Sequence, residues 1–373
     1  MALPSPPILI VDQHDPSAHQ SINTALTESN AEDRIIIRPG TYTDPVTVEK
    51  NVRLIGEGPL EDIRLQVTDH TSVTIRTETC HIENISIQQT GTQESFALDI
   101  AFGNSTIIGC DISSKGLACI SLHGTASPVI KANRVHGGTE TGIMIAGQSQ
   151  AIIDGNMVFG NELAGIEIRD EANPQINNNH IYGENEVGIL IHKHGSGKIA
   201  NNSIFSNRFS GIEIRSRANP LITNNRIYYN GRSGIFSHDF AAGLIEGNTI
   251  SENGASGIAI QTHSKPEVNN NTIEKNNEAG VVISDNGQGT LKRNAILGNG
   301  FSGIEISKGA VADIKDNQIS WNEGGIMAHQ NAGGVISNND LRYNKNGAFY
   351  ISDNSAATVT RSGNIEWIQA SFN

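Results

Sequence analysis

The chain has 373 residues, a net charge of −13 at pH 7 and only 5% aromatic residues. That charge, without any block of Lys or Arg and without a base-stacking motif, argues against a nucleic-acid partner. No stretch approaches the roughly 20 apolar residues of a membrane span, and a length that ordinarily means two or three domains also suits one solenoid, which grows without dividing.

Met1 to Asp12 carry no basic region and no long apolar run, so no signal peptide is expected and the cytosol is the expected compartment. The odd set Cys80, Cys110 and Cys119 fits reducing conditions. Residues 8 to 12 read as a strand. Asp15-Pro16-Ser17 offers a helix start, and Ile22, Ala25 and Leu26 give the apolar stripe of one short helix. Such a helix would cover the open end of a strand stack, making residues 1–34 a cap.

From Ile35 the strands begin, at Ile35–Tyr42, Val46–Val48 and Val52–Gly58, with turn residues between them. Residues 60 to 140 form irregular coils whose apolar positions are Ile63, Leu65, Val67, Val73, Ile75, Ile82, Ile85 and Ile87. After that the sequence repeats. Gly142-Ile143 recurs every 23 residues to Gly303-Ile304, then at 22 in Gly325-Ile326 and Gly347-Ala348. Asn156, Asn179, Asn202, Asn225, Asn248, Asn271, Asn294, Asn317 and Asn339 keep the same step, and tracing it backwards reaches Asn133 and Cys110. A further column runs from Asn161 to Asn344 and is interrupted by Glu184.

A fixed period of this length is the mark of a solenoid. Each unit offers β-branched pieces of three to five residues with period-2 alternation, broken by Gly and Asn. The reading is an all-β, right-handed parallel β-helix over residues 35–356, closed by 357–373, where Ile365, Trp367, Ile368 and Phe372 would fold over the end. Equivalent asparagines, stacked about 4.8 Å apart, would form amide ladders at the corners.

Two resemblances follow from particular residues. Arg38-Pro39-Gly40-Thr41-Tyr42 and Leu54-Ile55-Gly56-Glu57-Gly58, placed after a helix, resemble the opening of pectin-lyase-like β-helix proteins. Units such as Gly211–Tyr228 and Ala242–Ile250 resemble the CASH-type repeats of F-box only protein 11 and its bacterial relatives, repeats found also in NosD-like and carbohydrate-active proteins. The F-box resemblance implies a substrate-binding β-helix of a ubiquitin ligase. No counterpart of its F-box is expected before residue 8, nor of its zinc-binding module after Gly363.

In each Gly-Ile-x-Ile strand the isoleucines point inward and the intervening residues outward. Stacking the coils then gathers Arg169, His192, His194, Glu213, Arg215, Arg217, Phe236, His238, Asp239, Phe240 and His263 on one strip as ligand-binding candidates. Glu167 and Glu213, two coils or about 9.6 Å apart, approach the upper limit for an inverting glycosidase pair. With His192 they are the catalytic candidates should the protein be an enzyme. Arg215 between His192 and His238 opposes a metal site, and no cofactor is expected.

Guanidinium groups beside exposed rings suit recognition of a carboxylate-bearing ligand. The expectation is a non-catalytic scaffold for a protein or acidic peptide. The alternative is a carbohydrate-active enzyme (lyase, hydrolase or epimerase) or a binding protein for an acidic saccharide, and a purely structural rod is third. The unbroken 23-residue spacing favours scaffold or rod, because β-helix enzymes build clefts with insertions.

Overall fold

The computed structural model describes residues 7–366, so Trp367, Ile368 and Phe372 lie outside the described residues. The chain is an all-β parallel solenoid of about 15 coils with one short helix near the N-terminus. It forms two compact units, Met1–Asn185 and Glu186–Asn373.

The first unit opens with strand Ile8–Val11, which pairs in parallel with Arg34–Ile37. The helix, Ile22–Glu28, starts later than Asp15-Pro16-Ser17 suggests. Its cap is Ser21, whose hydroxyl accepts from the Thr24 N–H at 3.2 Å. Asp15 instead closes a local turn, accepting from the Ser17 N–H and hydroxyl at 2.9 and 2.6 Å. Asp-Pro-Ser suits a turn as well as a helix start, and here the chain still has to bridge back, Val11 against His19, before it can coil. Ile22, Ala25 and Leu26 are buried as expected, against Ile8–Val11, Arg34–Ile37 and Val46–Val48.

Three parallel sheets run through each unit, one strand per coil. In the second unit a coil consists of Ile212–Ile214, Leu221–Thr223 and Arg226–Tyr228. The next begins with Ile235–Ser237, which sets Glu213 opposite Phe236. Ile212, Ile214, Ile222 and Ile227 are 0% exposed. Isoleucine fits this place because its branched Cβ packs on the pleat and stacks on the isoleucine one coil away.

The corners are the amide ladders. In the first unit the Asn133 Oδ1 accepts from the Cys110 N–H at 2.8 Å, and Asn133 and Asn156 each pass an Nδ2 hydrogen onward at 3.1 and 3.0 Å. In the second the same link repeats from Asn202 through Asn225, Asn248, Asn271, Asn294, Asn317 and Asn339 to Asn364. The other column behaves likewise from Asn207 to Asn344. Buried amides are tolerated here because the ladder gives them partners.

Glu184 stands in that second column. It is 2% exposed, and its Oε2 accepts from the Asn161 N–H at 2.6 Å, while the Asn161 Nδ2 finds no acceptor. Burial pushes the Glu184 carboxyl up to about 8, against the lowering effects of the Asn161 backbone N–H and of the Asn161 side-chain amide beside it.

The glycine column has a packing reason. A Cβ on Gly211 would stand 2.5 Å from the Ile227 Cγ2, 2.8 Å from the Gly234 carbonyl oxygen and 2.9 Å from the Asn230 Nδ2. Cys80, Cys110 and Cys119 are buried and unpaired, with thiols pushed by burial to about 11, 12 and 12. A final strand, Val359–Ser362, pairs with Gly333–Ser337, so the segment read as a closing piece also contributes to a sheet.

Candidate functional site

The candidate residues fall in both units. In the first, Glu167 and Arg169 lie on and just after the strand Ile166–Ile168. The Glu167 Oε2 is 3.5 Å from the Thr141 hydroxyl and its Oε1 is 3.9 Å from the Arg169 Nε. Arg169 also approaches Asp170 at 3.5 Å, and its Nη2 lies 3.1 Å from the Met144 sulfur.

The second unit brings most of the others together. The Glu213 Oε1 lies 3.1 Å from the His238 Nε2 and 3.4 Å from the Arg215 Nε. The His238 ring stacks on Phe236 with centroids 4.3 Å apart. On the adjoining turns the Arg217 guanidinium sits 5.7 Å over the Phe240 ring, which stacks on His263 at 5.0 Å. Asp239 accepts from the Ser216 hydroxyl at 2.9 Å. His194, Arg217, Phe240 and His263 occupy equivalent turn positions with φ of 63°, 61°, 59° and 59°. That left-handed corner throws the side chain outward, and Phe240 is 49% exposed there.

One expectation is corrected. His192, read as an outward residue, is only 8% exposed. It follows the strand Ile189–Ile191 at the bend, where the Gly195 N–H donates to its carbonyl at 2.9 Å, and the pairing of Ile191 with Ile214 sets the longer Arg215 at the equivalent place on the next coil. An outward-facing histidine role therefore passes to His238.

The outward columns hide a diagonal that reading them separately misses. His238 meets Glu213, His123 meets Asp99 at 3.2 Å, and His329 meets Glu305 at 3.1 Å. In each case the histidine is two residues beyond the carboxylate's strand partner, Phe236, Ser121 or Met327. Diagonal neighbours on a sheet are within reach of long side chains, so an acid followed 24 or 25 residues later by His is the sequence signal.

A different sheet carries a ring stack that was also missed. His136, Phe159 and Tyr182 stack at 4.9 and 5.3 Å, and Phe205 stacks on Tyr228 at 5.1 Å. These rings cover one another's faces, so they serve packing more than ligand capture. Among the described residues no group of three His, Cys, Asp or Glu side chains could hold a metal ion, and no helix is long and apolar enough to cross a membrane.

A family model described as the right handed beta helix region matches residues 61–204, 118–273, 185–310 and 256–365. The chain belongs to the right-handed β-helix family. A parallel right-handed β-solenoid fits the pectin-lyase-like fold that the opening residues resemble. Among solved structures, this β-helix is similar to a PL6 alginate lyase in complex with a trisaccharide, at 12% identity and TM-score 0.58, over 99% of this chain and 92% of that one. It is similar also to the A-module of a mannuronan C-5 epimerase from Azotobacter vinelandii, at 15% identity and TM-score 0.56 over 92% of each chain. A periplasmic alginate epimerase resembles it at 13% identity and TM-score 0.51, over 90% of this chain and 77% of the other. At these identities the likeness is one of fold. No curated protein matches the β-helix by sequence.

Proposed function

We propose that the protein recognises an acidic polysaccharide along the Glu213–His263 face of its second unit. The observation that carries this reading is the side-by-side placement of Arg215 and Arg217 with the rings of Phe236, His238, Phe240 and His263. Guanidinium groups bind carboxylates in a forked geometry, and an extended chain laid along the axis meets an equivalent position about every 4.8 Å. Alginate-acting proteins of the same fold support a saccharide over a protein partner.

A peptide that joins a sheet needs a free strand edge, whereas the flank of a stacked β-helix presents side chains only. The protein partner implied by the F-box resemblance would have to bind those side chains alone.

A second reading has its own observation. His238 is held by Glu213 at 3.1 Å with Arg215 beside them. A histidine oriented by a carboxylate is the arrangement of a general base, and a cation next to it would lower the barrier to removing the proton α to a uronate carboxylate. That chemistry is shared by lyases and epimerases.

The test is calorimetric binding of oligomannuronate, oligogalacturonate, a neutral oligosaccharide and an acidic peptide, with lyase products and epimer ratios followed in the saccharide samples. The Arg215→Ala/Arg217→Ala double variant should bind uronates at least about tenfold more weakly, the loss of two charge-assisted contacts. Binding of the peptide but of no saccharide would overturn the proposal. Turnover abolished by His238→Ala, with binding kept, would establish the second reading.

A further inference from the structure

Residues just before the second asparagine column form a stacked turn in which Lys275, Gly298, Trp321 and Tyr343 occupy equivalent places. The Lys275 N–H donates to the Leu297 carbonyl, the Gly298 N–H to Ser320 and the Trp321 N–H to Tyr343, at 3.2, 3.1 and 3.2 Å. All four residues share the left-handed backbone, with φ of 55°, 61°, 65° and 66°. For a bulky side chain that conformation is a genuine outlier, and such strain persists where the surroundings hold it, commonly at ligand sites.

Trp321 is 66% exposed, the most exposed of the large hydrophobic side chains among the described residues. One face of its indole is covered by Tyr343, with centroids 4.9 Å apart and planes within 7°. The coil on the other side contributes Gly298, where even an added Cβ would meet nothing within 4 Å. The next side chain in the column is the exposed Lys275. Behind it, Glu252 is engaged by the Tyr229 hydroxyl. Between the levels of Lys275 and Trp321 lie two coil spacings, roughly 9.6 Å, with no side chain from Gly298 between them.

We propose that this slot is a second saccharide subsite, holding one uronate ring flat on the outer face of Trp321 with its carboxylate toward Lys275. The inference rests on the acidic-polysaccharide reading and adds a place the main strip does not include. A pyranose ring has an apolar face of axial C–H bonds that packs on an indole, and the gap accommodates a single ring at ordinary contact distance. The ammonium then supplies the charge preference.

The experiment uses the full chain carrying Trp367→Phe, so that Trp321 is its one indole. Hexamannuronate and neutral maltohexaose are titrated while indole fluorescence and heat are recorded. Gly298→Asn fills the slot without straining the turn, since Asn tolerates this backbone. It should weaken hexamannuronate binding at least about fivefold and remove the fluorescence change. Lys275→Ala should weaken hexamannuronate binding and leave any maltohexaose signal unchanged. The Arg215→Ala/Arg217→Ala variant should keep the indole response at higher ligand concentration. Unchanged binding and fluorescence in Gly298→Asn, with the arginine variant weakened, overturns the subsite while the main strip stands. No response of the parent to hexamannuronate overturns both.

Discussion

Glu184 shows how one residue can matter out of proportion in a periodic structure. It fills a position that asparagine holds on other coils, and its folded carboxyl titrates near 8 rather than at the ordinary 4.5. A raised pKa means that the folded state holds the proton more tightly than the unfolded chain does. The stability from this group is therefore complete below about pH 4.5 and is lost as the pH rises towards 8. Glu184→Asn should remove that dependence and give the Asn161 Nδ2 its missing acceptor. Unfolding free energies from urea melts between pH 4 and pH 9 should fall for the parent, by up to about 1.4 kcal/mol per pH unit at the steepest, and stay level for the variant. Parallel curves would mean that Glu184 is hydrated after all. The other side chains of interest differ in kind: His238 and Glu213 gain their significance only from each other.

At the scale of the coil, the glycine column is a steric requirement. Gly211→Ala puts a methyl group against Ile227, Asn230 and the backbone of Gly234 at once. It should cost about 2 kcal/mol, read as a lower urea midpoint, and an unchanged midpoint would show that the coil yields easily. The period of the glycines was legible in the sequence, as were the ladders and the inward isoleucines, because each repeats and so announces itself many times; the steric reason for the glycines came only with the structure. Features that occur once were less legible. The helix start was misplaced because Asp15-Pro16-Ser17 and Ser21 both fit a cap, and only the bridge from Val11 to His19 decides between them. The His–carboxylate diagonals escaped because each joins a carboxylate to a histidine two residues beyond its register partner on the next coil, so the two stand in different columns. His192 is buried although the repeat gives it the same place as the more exposed His238, a difference that the period does not carry.

At the scale of the molecule, coils ought to be interchangeable, since each contacts mainly its neighbours. Deleting residues 272–294 removes one period and rejoins Asn271 to Ala295, leaving 23 residues to Asn317. That variant should fold, with a β-type circular dichroism spectrum and a cooperative melt. Deleting 272–293 instead leaves one extra residue in the coil, which turns the inward isoleucines outward wherever a corner does not absorb it, so that variant should melt below the first; equal melting would show that a corner takes up the difference, as it does over the 22-residue step from Asn317 to Asn339. The asparagine ladders add one more property to such a stack. Backbone hydrogen bonds of a parallel sheet point alternately up and down the axis, and their dipoles largely cancel. The side-chain amides do not alternate: from Asn202 to Asn339 each Nδ2 passes one hydrogen to the Oδ1 of the next coil, toward the C-terminus, and from Asn225 to Asn364 each Oδ1 accepts from the N-terminal side, while the second Nδ2 hydrogen of Asn225 and its successors returns to a backbone carbonyl one coil back. Each corner thus carries a line of like-oriented dipoles, polarising one another most strongly in the middle, and the solenoid has an electrical head and tail that its sheets alone would not give it.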